Sequence, residues 1–310
     1  MENNEEYEKY EENLIKEWET KITPVAQFSE KVKILQIKYS EEQKRVMNIF
    51  RAVVLSKEVS LEVYELTSLV ISLFPTNYVA WVLRRECLDK IKEIDPYQEL
   101  DWLDSIMLQF QKNYQIWHHR KLLIEKINDA SHEKNILDYV LRYEPKNFHA
   151  WTYRIWMIRR FNNVEHEFDF IDFMLKKDIK NNSVWNYRFF LVQFTNNNKL
   201  NKDIIDKEIK YALEKIKINP INECPYCYIR GLINKCGFKY NDFNFIKDEL
   251  EKIVEKNENN SYGLNLLLDY YEEEKNVKFD IIIEKLISVD YIRKKYYTWR
   301  KKKILILKNN

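Results

Sequence analysis

Glycine is nearly missing from this chain: 310 residues contain 3, alongside 6 prolines. Tight hairpins and βα loops consume glycine, so its scarcity argues against a sheet protein and for long helices. Four cysteines, Cys87, Cys224, Cys227 and Cys236, do not make a disulfide scaffold in a chain this long. No apolar run reaches the roughly 18 residues that a membrane-spanning helix needs. Net charge is also close to absent: 51 basic residues against 49 acidic leave +2, which makes no electrostatic case for nucleic acid. The first residues, Met1 to Glu12, are acidic and polar and lack the apolar stretch of a signal peptide. Gly-rich phosphate loops, a Gly-x-Ser-x-Gly elbow and a zincin motif are missing as well. A soluble, cytoplasmic, helical protein without a self-contained catalytic centre is expected.

What the chain has is a repeat. Aromatic residues reach 15%, and the pattern Asn, three residues, Trp, two residues, Arg occurs four times. It reads Asn77, Trp81, Arg84; Asn113, Trp117, Arg120; Asn147, Trp151, Arg154; and Asn181, Trp185, Arg188. A weaker fifth copy has Asn222, with Tyr226 in the Trp position and Ile229 in the Arg position. The Trp-to-Trp steps are 36, 34 and 34 residues, the length of one helix-turn-helix unit in a stacked array. The expected fold is all-α: a right-handed solenoid of stacked antiparallel helical hairpins with repeats of about 34 residues.

Residues 1–23 read as a charged tail or frayed helix, and 24–310 as one helical repeat domain with clear repeats starting near 77, 113, 147, 181 and 222. Helices over 41–54 and 61–73 form an atypical leading pair. Each repeat then opens on its Asn, whose side-chain oxygen can cap the first turn, and runs about 14 residues, as in 148–161. A second helix follows a polar turn. Its apolar positions are expected to be Ile136, Tyr139, Val140 and Tyr143 in one repeat, and Phe168, Ile171, Phe173 and Leu175 in the next. Beyond Gly237 the register fades, with helices expected over 245–254, 262–271, 279–289 and a basic one over 292–307. The repeated Arg falls on an apolar stripe, such as Ile116, Arg120, Leu123 and Ile127. A buried guanidinium needs acceptors, carbonyls or a carboxylate, so each Arg is expected to tie its repeat to a neighbour. The Trp is expected to pack between hairpins.

Cys224-Pro-Tyr-Cys227 copies a dithiol redox tetrapeptide, but that chemistry needs a βαβ setting. Here it opens a repeat helix and reads as coincidence, and no second Cys-x-x-Cys supplies a zinc set. Adjacent His118 and His119 point about 100° apart on a helix and cannot chelate one ion. One cluster stands out: Lys112, Tyr114 and Gln115 flank Asn113 beside the positive end of a helix, where anions are favoured. Asn147, Phe148 and His149, then Asn181 and Asn182, occupy the same edge of later repeats. Such a rim suits a phosphate or a carboxylate.

At these residues the chain resembles the α subunits of heterodimeric protein prenyltransferases, most of all the one shared by protein farnesyltransferase and geranylgeranyltransferase type I. The strings are Lys112-Asn-Tyr-Gln-Ile-Trp-His-His-Arg120, Asn147-Phe-His-Ala-Trp-Thr-Tyr-Arg154 and Asn181-Asn-Ser-Val-Trp-Asn-Tyr-Arg188, with Pro220 to Glu223, Asp290 to Lys294 and Phe50 to Val53 in support. The resemblance spans about 24–300. It implies a crescent of hairpins around an obligate β subunit, moving a farnesyl or geranylgeranyl group from a prenyl diphosphate to the Cys of a C-terminal Cys-a-a-X motif. The partner would bind the zinc, no metal would sit in this chain, and magnesium would serve the farnesyl reaction. By matching motif, Lys112 would meet the diphosphate with Tyr114 beside it. Gln115 would hold the peptide carboxylate through its amide N–H, Tyr78 would line the pocket for X, and Asn147 and His149 would stand near the same cavity. Phe148 departs from the family's usual Tyr, and Tyr226 from its Trp. A Rab geranylgeranyltransferase α subunit and a non-catalytic peptide-binding scaffold are the alternatives.

Overall fold

The computed structural model describes residues 2–27 and 38–309, with side chains over 9–27 and 38–304. Among the described residues every regular element is helical, with sixteen α-helices, two 3-10 turns and no strand. The chain divides into two compact units, Met1–Met157 and Ile158–Asn310. The first contains α1 (Glu2–Lys21), α2 (Glu41–Ser56), α3 (Leu61–Leu73), α4 (Tyr78–Lys90), α5 (Pro96–Gln109), α6 (Tyr114–Ile127), α7 (Glu133–Tyr143) and most of α8 (Phe148–Phe161). The second continues through α9 (Glu167–Lys177), α10 (Asn182–Thr195), α11 (Lys202–Ile218), α12 (Glu223–Lys235), α13 (Asn244–Lys256), α14 (Ser261–Glu274), α15 (Lys278–Val289) and α16 (Lys294–Asn309).

Capping sets the helix starts. Asn77, Asn113, Asn181 and Asn222 cap α4, α6, α10 and α12, each accepting from an amide two or three residues on. Asn147 accepts from Ala150 N at 3.1 Å in the same way. Asn260 does so for α14, accepting from Gly263 N at 3.0 Å. This is the helix expected over 262–271; its place as a sixth repeat was hidden because Leu264 and Leu267 stand where Trp and Arg would. Gly237, at φ +73°, takes the chain out of α12 through a conformation that favours glycine.

The capping Asn does a second job. Pro75 O accepts from Trp81 Nε1 at 2.9 Å and from Asn113 Nδ2 of the next repeat at 2.6 Å. Gln111 O accepts from Trp117 Nε1 at 2.8 Å and from Asn147 Nδ2 at 3.2 Å. In the second unit Ile179 O takes Trp185 Nε1 at 3.1 Å and Asn222 Nδ2 at 2.8 Å. The fifth repeat keeps this joint without Trp: Pro220 O accepts from the Tyr226 hydroxyl at 2.8 Å and from Asn260 Nδ2 at 2.7 Å. A carbonyl has two lone pairs, and both are used here to link consecutive repeats.

The repeated arginines are buried, as their stripe implies, and each finds carboxylates. Arg84 grips Glu99 through Nε at 2.7 Å and Nη2 at 2.6 Å, Arg120 grips Glu133 at 2.8 and 2.7 Å, and Arg188 grips Glu208 at 2.7 and 2.9 Å. These forks close the arginine's own hairpin. The expected tie to the preceding repeat comes from a further nitrogen: Arg84 donates to Ser68 at 2.7 Å, Arg120 to Asp104, and Arg154 to Asp138 at 2.7 Å. Each glutamate also takes a donor one position before the Arg position of the next repeat, which Ile229 fills in the fifth: His119 on Glu99 at 2.6 Å, Tyr153 on Glu133 at 2.5 Å and Tyr228 on Glu208 at 2.6 Å.

The stretch read as a charged tail or frayed helix forms α1, which packs on α2 with Leu14, Ile15 and Trp18 buried and Glu19 bonded to Arg45 at 2.9 Å. The second-helix stripes change in part: Val140, Ile171 and Leu175 are buried as expected, but Tyr139 and Tyr143 are exposed, and α7 buries Leu137 and Leu141 beside Val140. Likewise α9 buries Phe170, Ile171, Met174 and Leu175, leaving Phe168 half-buried and Phe173 exposed. A tyrosine on a helix can lie along the surface with its hydroxyl in water, so aromatic character alone misplaced the face.

Candidate functional site

The site lies in the first unit, where α6 and α8 begin. Asn113 Oδ1 accepts from Gln115 N at 2.8 Å and fixes the first turn of α6, so its unpaired amides and positive dipole end face the rim. Lys112 precedes this cap. Its side chain is 74% exposed, and its Nζ donates to Glu144 Oε1 at 2.5 Å. Lys112 and Glu144 both line a groove of about 690 Å³, with Pro75, Thr76, Phe110 and Asn113.

Tyr114 is 70% exposed and meets His149 edge-on, with ring centroids 4.3 Å apart and an interplanar angle of 89°. Phe148 is exposed and also touches the His149 ring, at 5.8 Å. Burial lowers the His149 imidazole below its ordinary value, despite the opposing pull of Glu144, so the ring is neutral at pH 7. Gln115 is half-buried, and its Oε1 is a buried atom without a hydrogen-bond partner. Tyr78 follows its capping Asn on α4 as Tyr114 does on α6, and is likewise exposed.

Asn147 differs from the others in being buried and engaged at both ends. Its Oδ1 caps α8, while its Nδ2 donates to Gln111 O and to Glu144 Oε2, each at 3.2 Å. Glu144 was not foreseen. The available signal was an acidic residue three before a capping Asn, a register that Asp178 repeats ahead of Asn181.

Elsewhere, burial pushes both the Cys224 and Cys227 thiols up, the reverse of what a redox dithiol needs. His118 is exposed and His119 is buried on Glu99. Among the described residues no group of three or more His, Cys, Asp and Glu could hold a metal ion. No helix among them is long and apolar enough to cross a membrane.

The family pattern "Protein prenyltransferase alpha subunit repeat" matches residues 96–127, 131–161 and 164–195. The protein farnesyltransferase/geranylgeranyltransferase type-1 subunit alpha of Dictyostelium discoideum is 35% identical over 296 residues, which are 92% of this chain and 91% of that one. The chain belongs to the protein prenyltransferase α-subunit family. The Candida albicans subunit of the same name is 36% identical over 110 residues, a stretch spanning 36% of each chain. A Schizosaccharomyces pombe subunit so named is 35% identical over 113 residues, 38% of its length. The match to these two therefore spans little more than a third of each. A solved structure of Candida albicans protein geranylgeranyltransferase-I complexed with GGPP matches with a TM-score of 0.83 at 30% identity, covering 91% of this chain and 96% of that one. The three matched repeats of this prenyltransferase α-family chain include Lys112, Tyr114, Gln115, Asn147 and His149; Tyr78 precedes them.

Proposed function

We propose that this chain is the α subunit of a heterodimeric protein farnesyltransferase or geranylgeranyltransferase type I. The complex transfers a prenyl group from its diphosphate to the thiol of a C-terminal Cys-a-a-X cysteine, in the cytoplasm. The β subunit is the obligate partner and carries the zinc; magnesium serves the farnesyl reaction. The observation that carries the reading is the exposed ammonium of Lys112, paired with Glu144, at the amide-rich start of α6 beside Tyr114, whose ring meets the neutral His149. As the C1–O bond of the isoprenoid breaks, negative charge builds on the departing diphosphate, and the sulfur forms the new bond to C1. A cation and helix dipole already in place interact more strongly with that charge than with the ground state. Gln115 and Tyr78 serve the peptide end, and Asn147 acts through the residues it positions. The type-1 names of the relatives favour this reading over a Rab enzyme.

The test is co-expression with the β subunits of the same organism, assaying Cys-a-a-X peptides and Rab substrates with the purified pair. Lys112→Ala should then lower the single-turnover rate by about 10-fold or more while prenyl diphosphate affinity changes less. Lys112→Arg should recover part of that loss, since a planar fork does not replace a compact ammonium. A wild-type chemical step in an intact Lys112→Ala heterodimer would overturn the site.

A further inference from the structure

Lys112 is long, exposed and flexible, and a flexible cation contributes little to a transition state unless something fixes it in advance. Both its backbone and its side chain are tied to the following repeat. The carbonyl just before it, Gln111 O, accepts from Asn147 Nδ2 at 3.2 Å. Its ammonium donates to Glu144 Oε1 at 2.5 Å. Glu144 is itself held: its other oxygen, Oε2, accepts from the same Asn147 Nδ2 at 3.2 Å. Its backbone N–H caps the end of α7 on Val140 O at 2.7 Å, and its carbonyl accepts from Asn147 N at 3.0 Å. The carboxylate is 29% exposed against 74% for the lysine, so the acid is the fixed partner and the ammonium the mobile one.

We propose that Glu144 is a positioning residue for the reaction: it holds the Lys112 ammonium at the mouth of the groove both residues line, with two of its three N–H donors left for the diphosphate. This rests on the function proposed above. The arrangement has a distinctive consequence. A carboxylate beside a bound polyanion repels it, so Glu144 works against ground-state binding while ordering the cation that stabilises the leaving group. Neutralising it should therefore separate rate from affinity. Loss of packing alone would lower both, or neither.

The experiment uses the heterodimer and four forms of this chain: wild type, Glu144→Gln, Lys112→Ala and the double variant. Glutamine preserves the shape and the acceptor for Asn147. The expected result is a single-turnover rate about 5-fold lower in Glu144→Gln, with prenyl diphosphate affinity unchanged or tighter and the thermal midpoint unchanged. In the Lys112→Ala background the same substitution should have no further effect on rate, because the cation it positions is gone. A wild-type rate in Glu144→Gln, or an equal loss on top of Lys112→Ala, overturns the positioning role and leaves the function proposal standing. A wild-type rate in Lys112→Ala overturns both.

Discussion

Arg120 holds Glu133 with a fork and reaches Asp104 with its remaining nitrogen while being almost fully buried. Arg120→Ala would strand a buried carboxylate, at a cost of roughly 3–5 kcal/mol; an unchanged denaturant midpoint would show that the fork is idle. Glu99 takes His119 where Glu133 and Glu208 take Tyr153 and Tyr228, and it also accepts from the Tyr64 hydroxyl. Burial alone would raise the Glu99 carboxyl, but Arg84 and His119 outweigh it and hold it at about 2. Burial lowers the His119 imidazole, against the pull of Glu99. Both folded-state values lie below the unfolded ones, so in each case the unfolded chain binds more protons and stability falls with acidification. The histidine's share is lost as pH drops below about 6.5, its ordinary value, and the glutamate's between about 4.5 and 2. His119 packs on Trp81 with centroids 5.2 Å apart, as Tyr228 does on Trp185, also at 5.2 Å. His119→Tyr should therefore fit the node and flatten the fall of the thermal midpoint as pH drops below 6.5; an unaltered slope would mean that the imidazole does not set it. The Asn, Trp and Arg of each repeat were legible in the sequence because they hold one register. The glutamates were not, since they stand 15, 13 and 20 residues after their arginines and resemble solvated surface acids.

At the scale of the element, the helices from Leu61 to Val289 fell close to where caps and periodicity put them. What the pattern concealed was which face turns inward on α7 and α9, and that α1 docks. An acidic segment with few apolar residues reads as a tail, yet Leu14, Ile15 and Trp18 lie within two turns and share one face. Burying a large apolar side chain is worth roughly 1.5–3 kcal/mol before ordering costs. Deleting residues 1–22 should accordingly lower the thermal midpoint of the chain, and an unchanged midpoint would restore the tail. The candidate site sits at a cap that the sequence marks, since Lys112, Tyr114 and Gln115 flank Asn113. Glu144 was hidden because its role appears only when the end of α7 is brought beside the start of α6.

For the whole molecule, large apolar groups remain uncovered in both units: Tyr114, Tyr143 and Phe148 in the first, and Tyr291, Ile292 and Trp299 in the second. Surfaces of this kind call for a partner. The purified chain alone should self-associate in light scattering and transfer no prenyl group, gaining both solubility and activity with a β subunit; robust transfer by the single chain would contradict the proposed function. The shared carbonyls have a different consequence. Pro75, Gln111, Ile179 and Pro220 each accept one bond from their own repeat and one from the next, so the seam is chemically the same at each of these steps. A seam repeated in this way is a splice site. A segment duplicated from one such carbonyl to the next would arrive with both of its couplings already complementary to its new neighbours, so the array can grow or shrink by whole units without redesigning a junction.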